Sequence, residues 1–214
     1  LGRAPCVLER LLPLADECSV IVARGWDGAL VHFQPQRNLH RDGILAVTEA
    51  FEGNLPDAIV EWSVDAAKKI ANVLGYVGVL CVEFFILQDG TLVANEMAPR
   101  PHNSGHHTID ACDLSQFELQ VRTLTGLPLP TPRQHSAAVM LNLLGDLWFD
   151  ASGAVRTPPW AEVLALPGAH LHLYGKLQAR RGRKMGHLTL TAASAAEVRA
   201  TAARAAALLG IAPW

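Results

Sequence analysis

The run Val77-Gly78-Val79-Leu80-Cys81-Val82-Glu83-Phe84-Phe85-Ile86-Leu87, turned by Gln88-Asp89-Gly90 and followed by Thr91-Leu92-Val93-Ala94, decides how this sequence folds. The first run is apolar almost throughout and rich in β-branched and aromatic residues, so it reads as a buried strand. Asp89-Gly90 is a turn signal, and Thr91 to Ala94 returns as the second arm of a β-hairpin. Antiparallel arms set residues opposite each other. Glu83 in the first arm and Glu96 just past the second are therefore expected to lie close across the sheet.

The same punctuation extends in both directions. Upstream, Val7 to Leu12 reads as a short strand, with a connection at Pro13-Leu14-Ala15-Asp16. Ser19 to Arg24 reads as a strand, Gly25-Trp26-Asp27-Gly28 as a hairpin turn, and Ala29 to Phe33 as the returning strand. Asn38 to Gly43 is polar and reads as a loop. Ile59, Val60, Val64, Ala67, Ile70, Ala71 and Leu74 recur at helical spacing from about Asp57, with Gly75 as the stop. Downstream, a polar stretch from Arg100 to His107 precedes a helix from about Leu114 to Thr125. Pro128-Leu129-Pro130-Thr131-Pro132 is the linker candidate. Beyond it come strands at Ala137 to Leu144, His170 to Tyr174 and His187 to Thr191. A short helix falls near Trp160 to Leu164, and a last helix runs from Ala195 to Leu209 between Ser194 and Gly210. The expected class is α+β, with an antiparallel sheet and helices over residues 1–132 and a small mixed α/β unit over 133–214.

Composition narrows the function classes. Half of the 214 residues are hydrophobic and 18% are charged, which fits a packed core and excludes disorder. The net charge of -2 offers no broad basic field for nucleic acid or an anionic membrane. No run reaches the ~18 apolar residues of a membrane span. Cys6, Cys18, Cys81 and Cys112 stand singly, as expected of reduced cysteines in a cytoplasmic protein. The chain opens Leu1-Gly2-Arg3 without an initiator Met, and the expectation is an N-terminus lying upstream.

Four groups of residues can carry chemistry. Glu83 sits inside an apolar strand, where a carboxylate is costly without a partner. With Glu96 and the neighbouring Asn95 amide it matches the oxygen donors that magnesium prefers; an edge-strand glutamate or an arginine pair is the alternative. Arg100-Pro101-His102-Asn103-Ser104-Gly105-His106-His107 is dense in hydrogen-bonding groups and stiffened by prolines, or else it is a polar loop capping the next helix. Tyr174-Gly175-Lys176 with Arg180-Arg181-Gly182-Arg183-Lys184 crowds five cations into nine residues. That suits a phosphate, with a solvated hairpin tip as the alternative. Val7 to Leu12, including Glu9, can border a nucleotide base with Glu17 near its ribose, or these can be surface glutamates.

One long run carries a resemblance. Asn95-Glu96-Met97-Ala98-Pro99-Arg100-Pro101-His102-Asn103-Ser104-Gly105-His106 continues through Thr108-Ile109-Asp110-Ala111-Cys112 to Ser115-Gln116-Phe117-Glu118. It resembles the N5-carboxyaminoimidazole ribonucleotide synthases, ATPase subunits of phosphoribosylaminoimidazole carboxylase, in the ATP-grasp superfamily. Ser19 to Gly25, Asn38 to Leu45, and Tyr174-Gly175-Lys176 with Gly182 to His187 agree in order and spacing. The resemblance covers the chain from about Val7 onward.

That resemblance implies the C-terminal part of an ATP-grasp module and a reaction. ATP phosphorylates bicarbonate to carboxyphosphate, and the amine of 5-aminoimidazole ribonucleotide (AIR) is then carboxylated. Glu83 and Glu96 match the magnesium-holding acids, with Asn95 beside them. Glu9, Arg10, Leu11 and Leu12 match the hinge at adenine, Glu17 the ribose-binding acid, and His40 a histidine near the nucleotide. Arg100 and His102 match the bicarbonate and AIR end, and Lys176 and Arg183 the groups on the AIR phosphate. His107 stands where the family commonly has tyrosine. The family is commonly dimeric, so a homodimer is expected. The family also places a nucleotide-fold domain, a phosphate-binding lysine and a Gly-rich loop ahead of this stretch, so these 214 residues alone are expected to lack catalysis. Two rivals differ in class: a formate-dependent glycinamide ribonucleotide transformylase-like enzyme, and a non-catalytic dimerising module.

Overall fold

The fold follows from a sheet whose two faces differ in chemistry, seen in a computed structural model that describes residues 2–214; Leu1, where the sequence reading begins, lies outside them. The strands are β1 (Leu14–Arg24), β2 (Leu30–His32), β3 (Gln36–Arg41), β4 (Ile44–Ala50), β5 (Gly78–Leu87), β6 (Leu92–Ala98), β7 (Ala137–Leu144), β8 (Ala169–Leu173) and β9 (Lys184–Ala192). They form one antiparallel sheet in the order β6-β5-β1-β3-β4-β7-β9-β8, with β2 paired to β1. The helices are α1 (Asp57–Val73), α2 (Thr108–Ala111), α3 (Gln116–Thr125), α4 (Trp160–Leu164) and α5 (Ala195–Leu209).

Period-two alternation sends Val20, Val22, Leu80, Val82 and Phe84 to one face, where Ile59, Val64, Ala67 and Ala71 of α1 cover them. Farther along that face, Val139, Leu141, Leu188 and Leu190 pack under Val198, Ala202, Ala205 and Leu209 of α5. The opposite face carries α3 over Ile21, Val79 and Cys81, and beside that patch it turns polar. Local signals fix the helix ends. Ser115 and Ser194 accept from the amides of Glu118 and Glu197, and Gly126 and Gly210 close their helices in the left-handed region.

Three expectations need correction. Val7 to Leu12 forms no strand: it is coil, and Val7, Leu8 and Leu11 are at least 86% exposed. An apolar run becomes a strand only when it pairs with another; both edges of β1 are taken by β5 and β3, and this segment pairs with neither end strand, β6 or β8. Of the expected connection at Pro13 to Asp16, Leu14 to Asp16 are already the start of β1, irregular between Leu14 and Asp16. Asn38 to Gly43 is no loop either: β3 runs to Arg41 and turns through Asp42-Gly43 into β4. Polar residues fill that strand because its inward side chains find partners within the sheet. Asn38 donates to Ser19 Oγ at 2.8 Å and accepts from Thr48 at 3.0 Å.

One buried acid ties the sheet to the last helix. Glu49 on β4 is bound by Arg199 of α5 through two 2.9 Å contacts, and by Trp214 Nε1 at 3.3 Å. Burial alone would raise the Glu49 pKa, but the Arg199 and Trp214 hydrogen bonds outweigh it and hold the group below the usual carboxylate value. A depressed carboxylate contributes stability above its unfolded-state pKa and loses it as pH falls through the folded value. Arg199→Met should therefore cost about 1–2 kcal/mol at neutral pH, because it leaves the buried Glu49 only Trp214 and a 3.5 Å contact with Arg37. In urea unfolding, the gap between this variant and the unsubstituted protein should close as the buffer is made acidic.

Candidate active site

The hairpin does what its register requires. Glu83 of β5 pairs with Glu96 of β6, and across β1 and β3 the same rung continues as Ser19 and Gln36. All four side chains therefore emerge on the polar face. The ladder slips between Glu83 and Phe84, leaving Asn95 as the extra residue of a bulge beside Glu96. One ligand atom each from Glu83, Glu96 and His102 lie within 4.8 Å of one another.

Glu83 is 8% exposed, and its Oε1 is buried without a hydrogen-bond partner. Its pKa is pushed up to about 7, first by burial and then by a hydrogen bond shared with Glu96, against the pull of His40. A buried carboxylate that must share a proton with its neighbour is short of positive charge. A divalent cation would supply it, so this donor set fits one.

On the adjoining strands, Glu17 of β1 and His40 of β3 form an ion pair that raises the His40 pKa. The bend between Arg100 and His107 lies over the same rung. His102 Nδ1 is 3.0 Å from Ser104 Oγ and 3.9 Å from Glu83 Oε1. Burial, then the charges of Arg100 and Lys184, lower its pKa to about 4, so the imidazole is neutral at physiological pH. Arg100 itself is exposed and bonds to the Pro101 carbonyl.

The structure thus gathers Glu17, His40, Glu83, Asn95, Glu96, Arg100 and His102 at one end of the sheet. Lys176 and Arg183 lie on the β8–β9 connection. Lys176 donates to the Lys184 carbonyl, and Arg183 donates to the Gln178 carbonyl at 3.0 Å. Of this cationic loop, half-buried Lys184 is the member whose charge reaches Glu83 and His102. Glu9, Arg10, Leu11 and Leu12 stay outside the gathering, in the coil before β1.

Several participants escaped the sequence reading. Ser19 Oγ lies 2.8 Å from Ser104 Oγ, and Gln116 grips both sides of His102, accepting from its amide at 2.8 Å and donating to its carbonyl at 2.7 Å. Asp110, His172 and His187 form a second cluster of potential ligands. Asp110 Oδ2 is 2.9 Å from His172 Nε2, and the His172 and His187 rings stack at 4.4 Å and 10°. A shared metal would have to lie in both ring planes, which parallel rings do not permit. In this geometry the trio is a packed, hydrogen-bonded contact between α2 and strands β8 and β9.

Comparisons with known proteins show what the chain is similar to. The ATP-grasp domain family matches residues 1–117, and the phosphoribosylaminoimidazole carboxylase C-terminal domain family matches residues 138–201. An N5-carboxyaminoimidazole ribonucleotide synthase from Brucella melitensis is 46% identical over 189 residues, covering 88% of this chain and 49% of that protein. The one from Escherichia coli is 41% identical, with 92% and 51% covered. The crystal structure of N5-carboxyaminoimidazole ribonucleotide synthetase from Thermus thermophilus superposes with a TM-score of 0.85 at 38% identity, covering 95% of this chain and 53% of that one. An Aspergillus clavatus structure, in complex with ADP and 5-aminoimidazole ribonucleotide, gives 0.81 at 32% identity, covering 94% and 53%. The chain spans about half the length of the curated relatives it matches.

Two measurements test this geometry. A Cβ on Gly105 would sit 2.1 Å from Ile21 Cδ1 and 2.7 Å from Gln116 Oε1. Gly105→Ala should therefore destabilise the fold by about 1–3 kcal/mol in denaturant unfolding, because the bend is forced off the sheet. The raised Glu83 pKa gives a second expectation, for protein stripped of divalent ions. A carboxyl with a raised pKa contributes stability below the ordinary carboxylate range and loses it as pH rises through the folded value. Metal-free protein should lose stability across that interval up to about pH 7, and Glu83→Gln should flatten the slope.

Proposed function

This chain belongs to the ATP-grasp family, among the N5-carboxyaminoimidazole ribonucleotide synthases, and on that premise we propose that it serves the ATP-dependent carboxylation of 5-aminoimidazole ribonucleotide by bicarbonate. The observation that carries the reading is the pair of carboxylates on one sheet rung, one of them buried with an orphaned oxygen. Supporting it are the ADP and 5-aminoimidazole ribonucleotide bound by the Aspergillus clavatus relative.

In this reading Glu83 and Glu96, with the Asn95 amide oxygen, hold magnesium, and when bound it neutralises the terminal phosphates of ATP. Glu17 takes the ribose hydroxyls, and His40, fixed by Glu17, stands next to the nucleotide. Glu9 to Leu12 serve as the adenine hinge. Phosphoryl transfer needs position and charge neutralisation more than covalent help, and a site built of acids, an imidazole and a guanidinium offers both. Arg100 meets bicarbonate and the carboxyphosphate formed from it.

Carbamate formation joins the exocyclic amine nitrogen of AIR to the carboxyl carbon, releases phosphate, and frees a proton from the nitrogen. His102 is neutral, and its Nδ1 accepts from the Ser104 amide, which leaves the ring proton on Nε2; the imidazole can donate to the carboxyphosphate, and the departing phosphate takes the proton from the nitrogen. Lys176 and Arg183 grip the ribonucleotide phosphate. In the same reading the chain divides into two units after residue 132, forms a homodimer and works in the cytoplasm. The two family models lie on either side of that division, Cys18, Cys81 and Cys112 are free and buried, and among the described residues no helix is long and apolar enough to cross a membrane.

The test uses the full-length protein. ATP hydrolysis should rise with AIR plus bicarbonate and stay at baseline with glycinamide ribonucleotide plus formate. Glu83→Gln and Glu96→Gln should each lower kcat by roughly 100-fold or more, as expected when a charge-stabilising group is removed. A response to formate and glycinamide ribonucleotide, or wild-type turnover in Glu83→Gln, overturns the assignment.

A further inference from the structure

β7 carries one residue that its own packing does not need. In Ala137-Ala138-Val139-Met140-Leu141-Asn142-Leu143-Leu144, Asn142 is 4% exposed in the middle of an otherwise apolar strand. An amide there costs free energy unless its donors and acceptor are matched, and a leucine would pack without that requirement. Asn142 is matched by groups outside its strand. Its Nδ2 donates to the Leu45 carbonyl and to Asn103 Oδ1, each at 2.6 Å, and its Oδ1 accepts from Asn103 Nδ2 at 3.0 Å. The two asparagines form a closed, reciprocal pair, and Leu45 fixes which way the Asn142 amide faces.

Asn103 lies between two residues that are themselves anchored. Gln116 of α3 holds the His102 peptide on both sides, and Ser19 of β1 meets the Ser104 hydroxyl. Three consecutive residues thus have three anchors on three different elements. Only Asn142 comes from the part of the chain matched by the C-terminal domain model. It holds the segment through a residue that neither Gln116 nor Ser19 binds, so removing it leaves Asn103 without its side-chain anchor. His102 is set against Glu83 by that same bend.

We infer that Asn142 is a positioning residue, which, through its reciprocal pair with Asn103, holds the His102–Ser104 segment in register over the carboxylate rung. The inference rests on the carboxylation reading for its kinetic consequence, although the contact itself is independent of it. Asn142 touches none of the proposed substrate-binding groups and acts through Asn103. A displacement of about 1 Å in a positioned group is enough to cost on the order of 100-fold in rate.

The experiment has two arms. In the present chain, hydrogen exchange should accelerate at least about tenfold at the amides of Gly105 and His106, which close the bend, in Asn142→Ala and in Asn142→Leu. Amides of the β7–β9 ladder should hold their protection. In the full-length protein the same variants should lower kcat about 10- to 100-fold, with KM for ATP changed less than about twofold. Asn103→Ala should do the same, and Asn103→Ala with Asn142→Ala should be no worse than either alone, the mark of groups acting as one unit. Wild-type exchange in the bend of Asn142→Leu overturns the inference. So does loosening of the whole sheet together with the bend, or a double variant whose losses multiply. If the unsubstituted full-length protein turns over no ATP on AIR and bicarbonate, the functional reading fails, and the exchange arm still decides the positioning claim.

Discussion

A carboxylate inside a β-sheet is the constraint around which this molecule is arranged. Glu83 cannot be left alone at the middle of β5, since an isolated buried charge costs far more than any single packing contact returns. Its neighbours on the polar face answer that need in graded ways. Glu96 shares its proton, the His40 imidazole, its pKa raised by Glu17, pulls the other way, and Lys184 contributes charge from the start of β9. The bend over the rung excludes water from Glu83 while keeping His102 neutral. The apolar face is ordinary by comparison: α1 and α5 lie on it as α+β packing dictates, leaving the other face free for chemistry.

Much of this is legible in the sequence wherever the determining contacts are local. The β5–β6 hairpin follows from Asp89-Gly90 and an apolar run, and with it comes the approach of Glu83 to Glu96. Ser194 and Gly210 bound α5 correctly, because capping is written in the residues at the ends. The failures share one cause, which is partners distant in sequence. β3 reads as loop because Asn38 and its neighbours are polar, and the groups that satisfy Gln36 and Asn38, chiefly Ser19 and Thr48, lie on other strands. Val7 to Leu12 reads as a strand because composition reports apolarity and not whether the segment pairs with another strand.

The site shows the same split. The carboxylate pair is visible in the sequence, whereas the bulge at Asn95, the Glu17–His40 contact and the Gln116 clamp on His102 depend on register and tertiary approach. Asn142 does leave a readable signal: a lone amide in an apolar strand implies a buried partner somewhere. The cationic loop is legible as charge, but the pattern does not single out Lys184 as the member that leans toward the acids.

The pairing of β4 with β7, from Val47 opposite Leu141 to Ala50 opposite Ala138, joins the stretches matched by the two family models. Because the join is a ladder of main-chain hydrogen bonds and not merely side chains in contact, the two halves are welded. Rotation at this seam would tear peptide groups from their partners in a dry interior. The proline-rich crossing at Pro128 to Pro132 is thus a strap across a rigid plate, and any hinge in this molecule lies somewhere other than this seam.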